Sequence, residues 1–220
     1  MLGWLRILMF AAVAALSTGA AAQEQYQEGV HYDLIEPAIH TGISDRVVVT
    51  EFFSYGCGHC YNFEPLLESF ESRLSEGVVV QRTPVIWNNN PGMKLLAKTY
   101  YAVEALDVFE PVHGAVFNTI HRQRKRLSSP EAVRAVFVEN GVDAKDFDRA
   151  FGSFGIDSMV RQAAARTEGA RVQGTPSLMV NGKYRIDTRQ AGSQANMLKI
   201  AAFLADKELA RLERAPNAAD

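Results

Sequence analysis

The spacing of apolar positions along the chain changes several times, and each change marks a different kind of element. Val47-Val48-Val49-Thr50-Glu51-Phe52-Phe53 is β-branched and aromatic with almost no polar interruption, which predicts a buried strand over 46–53. From Tyr61 to about Leu74 the apolar residues Phe63, Leu66, Leu67 and Phe70 recur at helical spacing, and Glu76-Gly77 closes that helix. Val78 to Pro84 predicts a second buried strand. Two strands joined through a helix should run parallel with a right-handed crossover.

Asn88-Asn89-Asn90-Pro91-Gly92 breaks this pattern, and the periodicity is then helical up to about residue 170. Helices are predicted over 94–106, over 111–121, and from Ala132 to Glu139 behind Ser128-Ser129-Pro130-Glu131, a start with capping-box spacing and a first-turn proline. A fourth helical region starts at Asp143 and runs to about Thr167, with Gly152 and Gly155 expected to interrupt or kink it. The aromatic residues Tyr100, Tyr101, Phe109 and Phe117 are expected in the core of this helical segment. β character returns at Thr175–Val180 and Lys183–Ile186, separated by Asn181-Gly182, a strong signal for an antiparallel hairpin. A long amphipathic helix over 193–214 follows, with a frayed tail at 215–220. Upstream, 23–42 is expected to lie along the domain surface and end in a short edge strand.

The first residues have a different purpose. Arg6 precedes the apolar run Ile7–Leu16, and Ala20-Ala21-Ala22 follows with a small-x-small cleavage pattern. That run is shorter than the roughly 20 residues a membrane span needs, so 1–22 reads as a cleaved signal peptide rather than an uncleaved anchor. With 47% hydrophobic residues, the remaining chain can bury one large core or two modest ones. A net charge of −2 argues against nucleic-acid binding and gives no electrostatic case for membrane adhesion. The run Arg122-Gln123-Arg124-Lys125-Arg126 reads as a solvated helix end and loop, with docking to a partner or anionic surface as the competing reading.

Chemistry concentrates at Cys57-Gly58-His59-Cys60, which holds both cysteines of the chain where a strand hands over to a helix. At a helix N-terminus the unpaired amides and the dipole stabilise a thiolate, so the Cys57 thiol should fall below its ordinary value of about 8.5. His59 is expected to add a second stabiliser that can be cationic. Other uses of the pair fit less well. A zinc site needs two further ligands, and His31, His40, His113 and His121 show no ligand spacing. A c-type haem attachment needs histidine directly after Cys60, where Tyr61 stands. A structural disulfide closing so short a loop constrains the unfolded chain very little. A copper carrier would favour a methionine or histidine cluster, and only His59 is local. In an oxidising compartment this reads as a redox-active dithiol/disulfide pair.

Glu51-Phe52-Phe53-Ser54-Tyr55-Gly56-Cys57-Gly58-His59-Cys60-Tyr61, then Phe63-Glu64, form one block; Gly174-Thr175-Pro176-Ser177 through Val180-Asn181-Gly182-Lys183-Tyr184 form another. Together they resemble the thioredoxin fold, and more specifically the DsbA family of periplasmic thiol:disulfide interchange oxidases. The resemblance implies an α/β thioredoxin fold with an inserted all-helical domain: thioredoxin-like residues 23–88 and 171–220 around a helical insertion at 89–170. It implies a cis-proline at Pro176 facing the Cys57–Cys60 disulfide, with Thr175 before it, and Glu51 as the buried acid beneath the motif. A carboxylate interrupting an apolar strand independently calls for a partner or a proton-handling role, and Arg82 on the neighbouring strand is a candidate partner. The family works without a cofactor, its electrons held by the cysteine pair. It further implies a periplasmic location, unfolded or folding exported proteins as substrates, reoxidation by a DsbB-like membrane quinone reductase, and a monomer. Two positions depart from the common pattern: Gly58 stands where these oxidases often carry proline, and Thr175 where many carry valine. Both lie at the sulfurs, so a periplasmic reductase or isomerase is the alternative reading.

Overall fold

The computed structural model describes residues 25–214. The expected signal peptide at 1–22 and tail at 215–220 lie outside the described residues. A five-stranded mixed sheet is built from β1 (Asp33–Leu34), β2 (Val47–Phe53), β3 (Val78–Pro84), β4 (Ser177–Val180) and β5 (Tyr184–Asp187), in the order β1-β5-β4-β2-β3. Every residue of β2 is buried, as its largely apolar run requires of a strand near the middle of a sheet covered on both faces. β2 runs parallel to β3, pairing Glu51 with Arg82, and antiparallel to β4, pairing Phe52 with Ser177.

The hairpin between β4 and β5 follows from two residues. Asn181 and Gly182 both take positive φ, 50° and 71°, and the Lys183 amide donates to Val180 O at 2.9 Å, closing a tight turn whose twist matches the flanking strands. Gly182 has a second reason to lack a side chain: a Cβ there would lie 1.8 Å from the Ile39 carbonyl oxygen. Glu36–Pro37 and Thr175–Pro176 are cis peptide bonds.

Helix α1 (Gly58–Glu71) follows β2 directly. Five helices stand between β3 and β4: α2 (Pro91–Ala105), α3 (Phe109–His121), α4 (Pro130–Glu139), α5 (Ala144–Phe151) and α6 (Phe154–Gly169). A short α7 (Thr188–Ala191) and the long α8 (Gln194–Arg214) close the chain. Several boundaries differ from those read off the sequence, each for a local reason. Asn90 accepts from the Met93 amide and starts α2 at the proline rather than at Lys94. The helical region expected from Asp143 to about Thr167 is interrupted at Gly152, as foreseen for one of its two glycines: Gly152 ends α5, and Ser153 caps α6 by accepting from the Ile156 amide. α7, absent from the sequence reading, is set by Asp187 accepting from the Gln190 amide and by Gly192 at φ 77°.

Two large apolar cores form between the sheet and its helices, and one of them takes in the cysteine motif. One packs Val47, Val49, Phe63, Leu67 and Phe70 against Met197, Ile200 and Leu204 of α8. The other joins Phe53, Tyr55 and Cys60 to Tyr100, Tyr101, Phe117, Phe137 and Phe147 of the inserted helices. A smaller cluster covers the opposite sheet face through Phe52, Met179, Val85 and Val172. The motif therefore lies in the seam between sheet and insert.

Candidate active site

Cys57 is the N-cap residue of α1, at φ −94° and ψ 115°, and its Sγ accepts from the Cys60 amide at 3.4 Å. Sulfur thus stands where Ser or Asp usually caps a helix, facing amides that favour an anion. The pair is in the dithiol form, Cys57 half-exposed and Cys60 buried. The Cys57 thiol also approaches the Thr175 carbonyl oxygen, 3.4 Å away across the sheet end. The helix start and the turn before β4 therefore converge on one sulfur.

These contacts split the two thiols. Hydrogen bonding from the Cys60 side chain is the largest influence on Cys57. Partial burial opposes it, the Thr175 side chain and the Cys60 and His59 amides add to it, and the thiol is lowered to about 5. Burial, the hydrogen bond to Cys57 and the nearby Glu51 push the Cys60 thiol far above its ordinary value. The His59 imidazole is exposed to solvent, and among the leading influences on Cys57 is the residue 59 backbone amide.

Beneath the motif lies a buried charge cluster. Glu51 is fully buried, and neither of its carboxylate oxygens makes a hydrogen bond within the protein. Burial, then the neighbouring Glu64, push it well above the usual carboxylate range against the pull of Arg82. Arg82 is its partner only loosely, with Nε 3.8 Å from Oε2. The guanidinium is committed elsewhere. It donates to Glu64 at 2.8 Å and Glu71 at 3.3 Å, and lies 4.8 Å from the centroid of the half-buried Phe109 ring. Burial pushes Glu64 up, but His113 and Arg82 outweigh it and hold the carboxyl below its ordinary value. His113 spans Glu64, 3.4 Å from Nε2, and the Tyr55 hydroxyl, 2.8 Å from Nδ1.

Glu64, His113 and Tyr55 were not singled out for roles from the sequence. One signal was present for Glu64: it lies four residues after Cys60 and three before Leu67, on the buried stripe of α1. His121, at the end of α3, also reaches the motif. Its Nε2 is 2.8 Å from the Tyr55 carbonyl oxygen, its ring stacks on Tyr61 at 5.2 Å, and a Cβ on Gly58 would sit 3.9 Å from its Nδ1. A side chain at position 58 would therefore make ordinary contact there.

A pocket of about 240 Å³ opens beside Thr175 and Pro176, lined also by Gln173, Ser177, Arg185 and Asp187. Among the described residues there is no group of three or more His, Cys, Asp or Glu able to hold a metal ion, and no helix long and apolar enough to cross a membrane.

Comparison with known proteins agrees with this geometry. The model of the DSBA-like thioredoxin domain matches residues 73–199. That span begins downstream of the cysteines, and longer similarities take in the motif. The thiol:disulfide interchange protein DsbA of Pseudomonas aeruginosa is 33% identical over 207 residues, covering 92% of this chain and 95% of that protein. The protein of the same name from Bordetella parapertussis is 35% identical over 196 residues, covering 89% and 92%. A crystal structure of Pseudomonas aeruginosa DsbA superposes with a TM-score of 0.82 at 31% identity, covering 87% of this chain and 98% of that one.

Proposed function

The chain belongs to the DSBA-like thioredoxin-domain family and is a protein thiol:disulfide oxidoreductase; from that premise we propose that it acts as a disulfide donor to exported polypeptides in the periplasm. The observation that supports this direction is the inequality of the two thiols. A Cys57 sulfur stable as a thiolate, with its acid held near 5, favours the reduced pair and makes Cys57 a good leaving group, and both make the disulfide oxidising.

In the proposed cycle a substrate thiolate attacks the Cys57 sulfur of the Cys57–Cys60 disulfide, and Cys60 leaves. Its raised pKa means that it takes up a proton and stays a thiol. A second substrate thiolate attacks the substrate sulfur of the mixed disulfide and expels Cys57 as a thiolate. Gly58 and His59 carry the short loop between the sulfurs, with the His59 amide adding to the pull on Cys57. Thr175 and Pro176 form the wall along which the substrate backbone lies extended. Glu51, buried and held well above the usual carboxylate range, is the acid whose charge bears on Cys60. Residues 23–88 and 171–220 act as the thioredoxin-like unit, and the insertion at 89–170 covers the motif.

Reoxidation is assigned to a DsbB-like membrane quinone reductase, and the working form to a monomer delivered by cleavage after Ala22. The test is equilibration of the purified mature protein with glutathione redox buffers, counting free Cys57 and Cys60 thiols by alkylation and mass. A strongly oxidising midpoint supports the donor reading. A reducing, thioredoxin-like midpoint moves the protein to the reductase or isomerase side.

A further inference from the structure

The segment that follows α3, Arg122-Gln123-Arg124-Lys125-Arg126, is exposed throughout. Its backbone is nonetheless tied down. The Gln123 amide donates to Asn118 O at 2.9 Å, the Lys125 amide to Thr119 O at 3.0 Å, and Arg124 sits in the left-handed region at φ 56°. Many cations elsewhere in the chain have carboxylate partners, among them Arg82, Lys98, Arg134, Arg149, Lys183, Arg185 and Arg211. Arg122, Arg124, Lys125 and Arg126 have none among the described residues. A chain whose net charge is −2 therefore holds four unpaired positive charges in one ordered turn.

The position of that turn gives it meaning. His121, the residue before it, holds the Tyr55 carbonyl at 2.8 Å and lies against Gly58 and Tyr61. The cationic run thus begins one residue from a side chain in contact with the loop that carries Cys57. Exposed like charges crowded together repel and contribute nothing favourable to folding, so their use lies in the field they project. With a Debye length of about 8 Å at physiological salt, that field acts only on what is brought close to the motif. A polypeptide joined to Cys57 is brought that close. A membrane-adsorbing segment would add large exposed apolar residues to its cations, and residues 122–126 include none.

We propose that residues 122–126 form an electrostatic docking rim that favours polypeptide substrates carrying Asp or Glu near the cysteine that reacts with Cys57. The proposal rests on the disulfide-donor reading. The reaction it biases transfers two electrons. The peptide dithiol becomes a disulfide, the Cys57–Cys60 disulfide is reduced, Cys60 ends as a thiol and Cys57 as a thiolate, and one proton is released.

The test uses the oxidised mature protein and two matched two-cysteine peptides, one with Glu beside each cysteine and one with Gln there. Acidic neighbours raise the peptide thiol pKa, so the quantity that matters is the Glu/Gln rate ratio of the natural protein divided by that of a variant. The variants are R122Q/R124Q/K125Q/R126Q and its counterpart with Glu at the same four positions. We expect a quotient of about tenfold for the Gln variant at low salt, larger for the Glu variant and falling towards unity at high salt. The rate on the Gln peptide and the glutathione midpoint should be unchanged in the Gln variant. Equal ratios in natural protein and variants refute the rim alone. Failure to oxidise either peptide refutes the donor reading and the rim with it. Salt-sensitive binding to phosphatidylglycerol vesicles that the Gln variant loses, with no change in peptide preference, would reassign the loop to a membrane surface and overturn the proposal.

Discussion

Replacing Cys60 with alanine should raise the Cys57 pKa more than any change to the His59 side chain. Hydrogen bonding from the Cys60 thiol is the largest influence holding Cys57 at about 5, and Cys60→Ala removes it while leaving the residue 60 amide, the His59 amide and Thr175 in place. A hydrogen bond to a charged group contributes about 1.5–3 kcal/mol. At about 1.4 kcal/mol per tenfold change in ionisation, losing it moves the Cys57 midpoint to about 6–7, still below the ordinary value of about 8.5. Near pH 6 the thiolate share should fall from about nine-tenths to between about one-half and one-tenth. The thiolate ultraviolet absorbance, followed against pH, reads this directly. His59→Ala keeps the amide and should move the midpoint less. Stability provides a second readout. A thiol whose folded pKa is depressed stabilises the reduced protein fully above its unfolded value, about 8.5, and loses that contribution as pH falls through about 5. Denaturation of the reduced natural protein should therefore become easier between those limits, and Cys60→Ala should narrow the window from its acid side. A Cys60→Ala midpoint still near 5, alongside a raised midpoint in His59→Ala, would refute the reasoning and return the role to the imidazole.

The charge cluster and the hairpin give three more predictions. Glu51→Leu should stabilise the protein by about 1–3 kcal/mol in urea denaturation, because it removes a fully buried acid with no hydrogen bond while Arg82 keeps Glu64 and Glu71. Arg82→Met should destabilise by about 3–5 kcal/mol in the same assay, since it strands the buried Glu64 carboxylate with His113 as its remaining close partner. Gly182→Ala should lower stability by about 2–4 kcal/mol and depress the thermal midpoint, through the positive φ and the collision with Ile39 O.

What the sequence disclosed and what it withheld divide along the reach of the interactions. β2, β3, the Asn181-Gly182 hairpin and the thiol pair at a helix start are each written within a few consecutive residues, and local patterning locates them. The break between α5 and α6 was equally local: a glycine followed by a serine able to cap is a stop and a start, stronger than a kink. Glu51 stood out because it breaks an apolar strand, and the same reasoning applied to α1 would have marked Glu64 on the stripe shared with Cys60 and Leu67. What binds these groups together is different in kind. Arg82 reaches Glu64 across 18 residues and Tyr55 meets His113 across 58, between elements whose approach no local period specifies. One clue to that approach was nevertheless present in α3. His113, Phe117 and His121 recur at i, i+4 and i+8 and so share one helical face, and in the fold Tyr55 meets all three while Tyr61 meets the last two. Polar rings spaced as if they were core residues mark a helix face that packs on buried polar atoms. That face brings the insert onto the cysteine motif and, one residue beyond His121, sets the basic turn beside it.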